Sequence, residues 1–219
     1  MKATFHYRHS MVNDGKKAEN VFSVFPRFLD TPGLVEQDFR LLFGEGTANR
    51  FLEKWPTSLA SKVIKQSHGL VPPLSSWVYC GKQSWLLKLR MVGIVTCLLF
   101  CICYHHLHKD KGGWVGTSVQ QHLDKITQRT QPYLLAQGSI QSSIHAFFIV
   151  IDNYAIPCKA TCSVGALDEL FKARYVFGTS YSPPLTNFFT FLQTTVYNMD
   201  VGETKETPRV AELRARMLH

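Results

Sequence analysis

The chain has 219 residues, 45% of them hydrophobic and 18% charged, with a formal net charge of +8. These proportions exclude wholesale disorder and leave room for one domain or two small ones. The excess charge is uneven: residues 70–116 hold five Lys/Arg against one Asp/Glu, and residues 117–219 hold nine against eight. A phosphate-binding groove needs cations clustered on a folded face, which argues against nucleic acid as a partner. Three of the six cysteines, Cys97, Cys101 and Cys103, fall inside one apolar run, which is not a disulfide framework. With no apolar leader and no Asn-x-Ser/Thr acceptor, reduced thiols in a cytoplasmic setting are the expectation.

Residues 1–29 show little periodicity and are expected to be poorly ordered, with Val21–Phe25 a short strand or a stray apolar patch ahead of Pro26. Short helices are predicted over 30–70. Asp30 or Thr31 caps the first, with Pro32 in its first turn, and Val35, Phe39, Leu42 and Phe43 repeat at helical spacing up to Gly44. Thr47 caps a second, which carries Phe51, Leu52 and Trp55 and is stopped by Pro56. A third runs from near Ser58 with Leu59, Val63 and Ile64 and meets Gly69.

Residues 71–116 read as a hydrophobic insert or linker. Met91–Tyr104 is a run of fourteen uncharged, mostly apolar residues. As an isolated helix it would span roughly 21 Å, short of a ~30 Å hydrocarbon core. Extension back to Trp85 brings it to spanning length, at the cost of including Lys88 and Arg90. A membrane contact through Trp85–Tyr104 follows as an alternative.

Residues 117–219 read as an α+β module. Thr117–Gln120 is a capping box for a helix with Val119, Leu123 and Ile126 that Pro132 ends. Tyr133–Ala136 is a first strand, turning through Gln137–Gly138 into the β-branched run Ile144–Ile151. That run is expected to be a central strand and the most buried segment of the chain, intolerant of a charge at Phe148. Ile156–Ala160 is a second short strand, placed on a sheet edge because Pro157 has no N–H to donate. A helix from near Ala166 to Arg174 follows. The longest C-terminal helix is capped by Ser182, has Leu185, Phe188, Phe189, Leu192 and Val196 on its buried face and breaks at Asp200–Gly202; a last one begins near Pro208.

Two blocks carry a resemblance. The first is Thr31–Gly44, continuing through Phe51–Pro56 and Val63–Leu70. The second starts at Gly116–Ser118 and includes Gln120–Leu123, Ala155–Ala160, Asp168–Ala173, Phe177–Tyr181 and Arg209–Arg216. Both are similar to fish proteins labelled sterile alpha motif domain-containing protein 3-like. The resemblance implies no catalytic residues. The interaction module that names the group lies nearer the N-terminus of such chains and is not evident here. Residues 71–115 depart from the group, as a mis-spliced or read-through segment would, and are expected to be dispensable to the fold.

The candidate chemistry is thin. Cys158 and Cys162 form C-x-x-x-C, which lacks two further metal ligands and, as a nucleophile, needs His122 or His145 as a base. Cys101 and Cys103 precede His105, His106 and His108 without a turn to fold them together, so the histidines read as the polar flank of an apolar helix. Asp168 and Glu169 fall in the expected first turn of a helix, where the macrodipole favours carboxylates, and Asp200 is the third conspicuous acid. No catalytic, cofactor or metal residue is assigned. The reading is an α+β protein: helices, then a small antiparallel sheet with packed helices, and an isolated hydrophobic helix in the middle. Its expected role is a non-enzymatic protein–protein interaction or structural module with an unknown protein partner. The alternatives are a small single-pass membrane protein anchored by residues 85–106 and a Cys-dependent enzyme.

Overall fold

In the computed structural model the β-branched run Ser143–Ile151 (β2) is the central strand of a three-stranded antiparallel sheet, ordered β1-β2-β3. Ile149 and Val150 are both fully buried. Consecutive strand residues point to opposite faces, so the sheet is covered on both sides there. β3 (Tyr154–Pro157) lies on an edge and ends on Pro157, paired with Phe148. The β2–β3 turn is Asp152–Asn153, with Asp152 at φ +52°, a conformation Asp tolerates better than most side chains. β1 (Tyr133–Ile140) does not turn at Gln137–Gly138. Register shifts fall at that point instead, and the strand continues.

The structure describes residues 2–14, 21–62, 119–124, 126, 132–140, 143–180 and 185–218. They divide into two compact units, one of residues 1–51 with 115–219 and the other of residues 52–114. The apolar run Met91–Tyr104 and the proposed anchor 85–106 lie outside the described residues. Among the described residues no helix is long and apolar enough to cross a membrane.

Among the described residues the most buried segment is not β2 but helix α6 (Ser163–Val176), whose residues Gly165 to Arg174 are all buried. It starts three residues earlier than expected, with Cys162 as its N-cap, and packs against β1 and β2 on one side and α3 on another. In the numbering used here, α1 is Phe5–Asn13, α2 is Val21–Val24, α3 is Leu34–Phe43, α4 is Glu45–Lys54 and α5 is Val119–Leu123. After α6 come α7 (Thr186–Phe191), which continues in wider π turns over Leu192–Val196, and α8 (Pro208–Leu218). Val210 and Met217 are the buried positions of α8. The mixed α+β architecture, with N-terminal helices, an antiparallel sheet and packed C-terminal helices, agrees with the sequence reading.

Several boundaries differ for physical reasons. α3 opens after Gly33 at φ +85° and without a side-chain cap, instead of on a capped Pro32 turn; Thr31 Oγ1 donates to Asp30 Oδ1. α4 begins at Glu45, so Gly46 and Thr47 lie inside it, and Pro56 is absorbed in π turns over Trp55–Leu59 instead of ending the helix. Val63 and Ile64 lie outside the described residues. α5 is short and buries His122 instead of an apolar stripe.

Where they are described, the N-terminal residues are mostly helical. Residues 2–13 and 21–29 form α1, α2 and flanking 3-10 turns, and Val21–Val24 is helical, not a strand. Arg8, Met11, Val12, Val21, Phe22 and Phe28 are buried. Phe22 and Phe28 each meet the Phe177 ring at 5.0 Å between centroids, just beyond α6.

Candidate functional site

The densest cluster of titratable groups lies inside the first unit, on α6. Lys172, fully buried, places Nζ 2.5 Å from Asp168 Oδ2 one turn earlier and also pairs with Glu36 Oε2 on α3. The other Asp168 oxygen accepts a hydrogen bond from Tyr197 Oη at 2.5 Å. Phe171, between them on the helix, stacks on the Tyr197 ring at 4.0 Å with the planes 6° apart, and the Phe39 ring lies 5.7 Å from Lys172 Nζ.

Glu36 extends the cluster outward. Its Oε1 accepts from Arg40 Nε at 2.7 Å, and Arg40 reaches Asn49 Oδ1 at 3.1 Å and pairs with Glu45. Arg50, also on α4, donates to the carbonyl of Tyr197, just after the π turns that follow α7. Elements far apart in sequence are therefore tied through one buried ammonium.

Burial pushes the Asp168 carboxyl above its ordinary value, against the opposing pull of Lys172 and Tyr197. Tyr197 is raised well above its ordinary value by burial first and by the Asp168 carboxylate next. Chemically the arrangement is a clamp: Asp168 is engaged by Lys172 on one oxygen and Tyr197 on the other.

Glu169 points to the other side of α6. Its carboxylate accepts from the backbone N–H groups of Lys159 (3.1 Å) and Ala160 (2.7 Å), pinning the loop between β3 and α6. A Cβ on Gly165 would stand 2.9 Å from that of Ala160, so glycine permits the close approach of this loop. With α6 starting at Ser163, neither Asp168 nor Glu169 is in the first turn. Both are buried and internally bonded, which replaces the macrodipole account.

The cysteines flank this loop. Cys158 is half-buried and Cys162 exposed, both as free thiols. Burial, then the Glu169 carboxylate, push the Cys158 thiol up and away from the thiolate a nucleophile needs. Of the two candidate bases, His122 has Nε2 2.7 Å from Tyr133 Oη, and His145 is exposed on β2, two residues before Phe147, whose carbonyl accepts from the Cys158 N–H. Asp200, at φ +50°, accepts from Gln193 Nε2 at 2.7 Å. Cys101, Cys103, His105, His106 and His108 lie outside the described residues, and among the described residues no group of three or more side chains could hold a metal.

A second buried pair lies apart from the clamp. Arg8 on α1 donates from Nε to Asp38 Oδ2 at 3.0 Å and from Nη2 to Oδ1 at 2.7 Å, a fork-to-fork geometry, with Phe25 and Phe28 rings at 5.3 and 5.6 Å. Sequence reasoning missed Arg8, Asp38, Glu36 and Lys172. The i,i+4 spacing of Asp168 and Lys172 was the available signal, and it is the same signal that a solvated helix face shows. The chain matches no family model, no curated protein and no solved structure with which it was compared.

Proposed function

We propose that this chain is a non-enzymatic interaction or structural module whose buried charges serve assembly of the fold. The observation that carries this reading is Lys172, buried between Asp168 and Glu36 and closed off by Phe39, Phe171 and Tyr197. Functional acids and amines are ordinarily held at a cleft where substrate reaches them. Here their hydrogen-bonding capacity is turned inward, onto α3 and Tyr197. The similarity of the blocks 31–70 and 116–216 to sterile alpha motif domain-containing protein 3-like chains is in keeping with such a role, since it brings no catalytic residues.

The alternative, a single-pass protein anchored by residues 85–106, rests on the apolar run Met91–Tyr104 in the sequence. One experiment separates the two. The full chain, expressed in cells, is subjected to alkaline carbonate extraction of membranes, and partners of the released fraction are rebuilt into a complex from purified components. The module reading expects release and a stoichiometric complex that survives gel filtration. Retention in the carbonate-resistant pellet favours the anchor, and release without any reconstitutable complex rejects interaction as the role.

A further inference from the structure

Helix α1 buries a charged side chain where it meets the rest of its unit. Its sequence has no apolar stripe, and its buried side chains are Arg8, Met11 and Val12. The polar fastening is the Arg8–Asp38 pair, with Thr4 Oγ1 accepting from Arg8 Nη1 at 2.5 Å. A cavity runs along the seam, lined from α1 by Phe5, Arg8, His9 and Val12 and from the body by residues that include Phe28, Leu42 and Phe177. At its far end Val12 Cγ1 stands 2.9 Å from where a Cβ on Gly178 would be, and Gly178 has φ +61°. The body is thus shaped to receive α1, and among the described residues it holds it by the Arg8–Asp38 pair, the Phe25 and Phe28 rings against Arg8, the Tyr7–Phe25 edge contact and the buried Met11 and Val12.

We propose that α1 is a releasable strap: it leaves the body as a unit while the sheet and α6 stay folded, and it uncovers an apolar groove that carries the Asp38 carboxylate. At rest the occupant of the groove is α1 itself. Its competitor is a partner helix of the same chemistry, one basic residue beside a pair of apolar ones, since that is what Arg8, Met11 and Val12 present. Asp38 selects the basic residue, and Val176 and Phe177 accept the apolar ones. The purpose of the strap rests on the reading of the chain as an interaction module, but its detachment does not.

Hydrogen exchange on the full chain tests detachment directly. Amides of 5–13 are expected to exchange about 100-fold faster than those of 147–151 and 166–174, because a local opening lies below the global one. Arg8→Ala should speed exchange in 5–13 by about tenfold more and leave the other two segments within about twofold. Equal rates in all three segments of the unmodified chain would show a single cooperative unit and overturn the proposal, even if Arg8→Ala does not fold. The groove is probed with a labelled peptide of residues 2–14 added to the Arg8→Ala chain. Saturable binding, weakened about tenfold when the peptide itself carries Arg8→Ala, is the result expected from loss of a charge-assisted fork. Equal binding of the two peptides overturns the groove. Because exchange reports detachment with no partner present, failure here is distinct from failure to reconstitute a complex.

Discussion

The two buried ionic sites differ in how many elements depend on them. The Lys172 ammonium serves Asp168 on its own helix and Glu36 on α3, and through Asp168 it holds Tyr197 after α7. Among the described residues the Arg8 guanidinium pairs with Asp38 and lies against the Phe25 and Phe28 rings, and α1 is the element it secures. A buried charge that loses its partner must find water or stay uncompensated. At the first site Lys172 and Asp168 lie in the fully buried stretch of α6, which keeps water from them. At the second, one short helix can lift away. Burial of a salt bridge therefore tells little about its contribution until the mobility of the elements around it is known.

Four measurements sharpen or break this contrast. Lys172→Met should have the largest effect, a loss of about 3–5 kcal/mol read from the urea midpoint, since it strands Asp168 in the core. A loss below about 1 kcal/mol would mean that Asp168 reaches water and the clamp is dispensable. Arg8→Met should cost less, about 1–3 kcal/mol, because Asp38 regains hydration when α1 departs. If the two variants cost the same, the contrast fails. Gly178→Ala comes next at about 1–2 kcal/mol, from a left-handed backbone and a Cβ driven against Val12, and its loss should appear as faster exchange of α1.

The smallest effect is a pH dependence at Glu169. Burial raises this carboxyl above its ordinary 4.5, outweighing the Lys159 and Ala160 N–H groups that pull it down. A folded-state pKa above the unfolded one means that the folded chain holds the proton more tightly. That contribution is complete below about pH 4.5 and is lost as pH rises through the folded value. Urea denaturation of the native chain and of Glu169→Gln from pH 4 upward should show the native chain losing ground to the variant as pH rises, by under about 1 kcal/mol. The opposite slope would place the two backbone donors, not burial, in control.

How much of this was legible beforehand follows the same division. β2 was, because a run of Ile, Phe and Val between turn residues can satisfy its backbone and its side chains only as an inner strand. Pro157 correctly marked the edge, since its ring removes a ladder donor. The end of α3 at Gly44 was legible too, as its φ of +80° suits glycine. α6 was only half legible. Leu167, Leu170 and Phe171 gave one apolar face, but Asp168, Glu169, Lys172 and Arg174 look like a solvated one. Nothing local tells that Glu36 waits on the other side. α1 was not legible at all, because a helix held by Arg8 has no apolar period to detect. The candidate site was invisible for the same reason: its members are ordinary surface residue types until tertiary contact pairs them.

The distance in sequence between Glu36 and Lys172 also bears on synthesis. The contact spans 136 residues. At about 5–20 residues per second, the ribosome makes Lys172 roughly 7–30 s after Glu36. Throughout that interval α3 has been translated, with Val35 and Phe39 bound for a core that does not yet exist. Loop-closure entropy opposes the contact until the partner arrives, so assembly waits for the last third of the chain. The nascent protein therefore depends on whatever shields those side chains near the exit tunnel, and slowing translation between codons 36 and 172 should lower the yield of native protein.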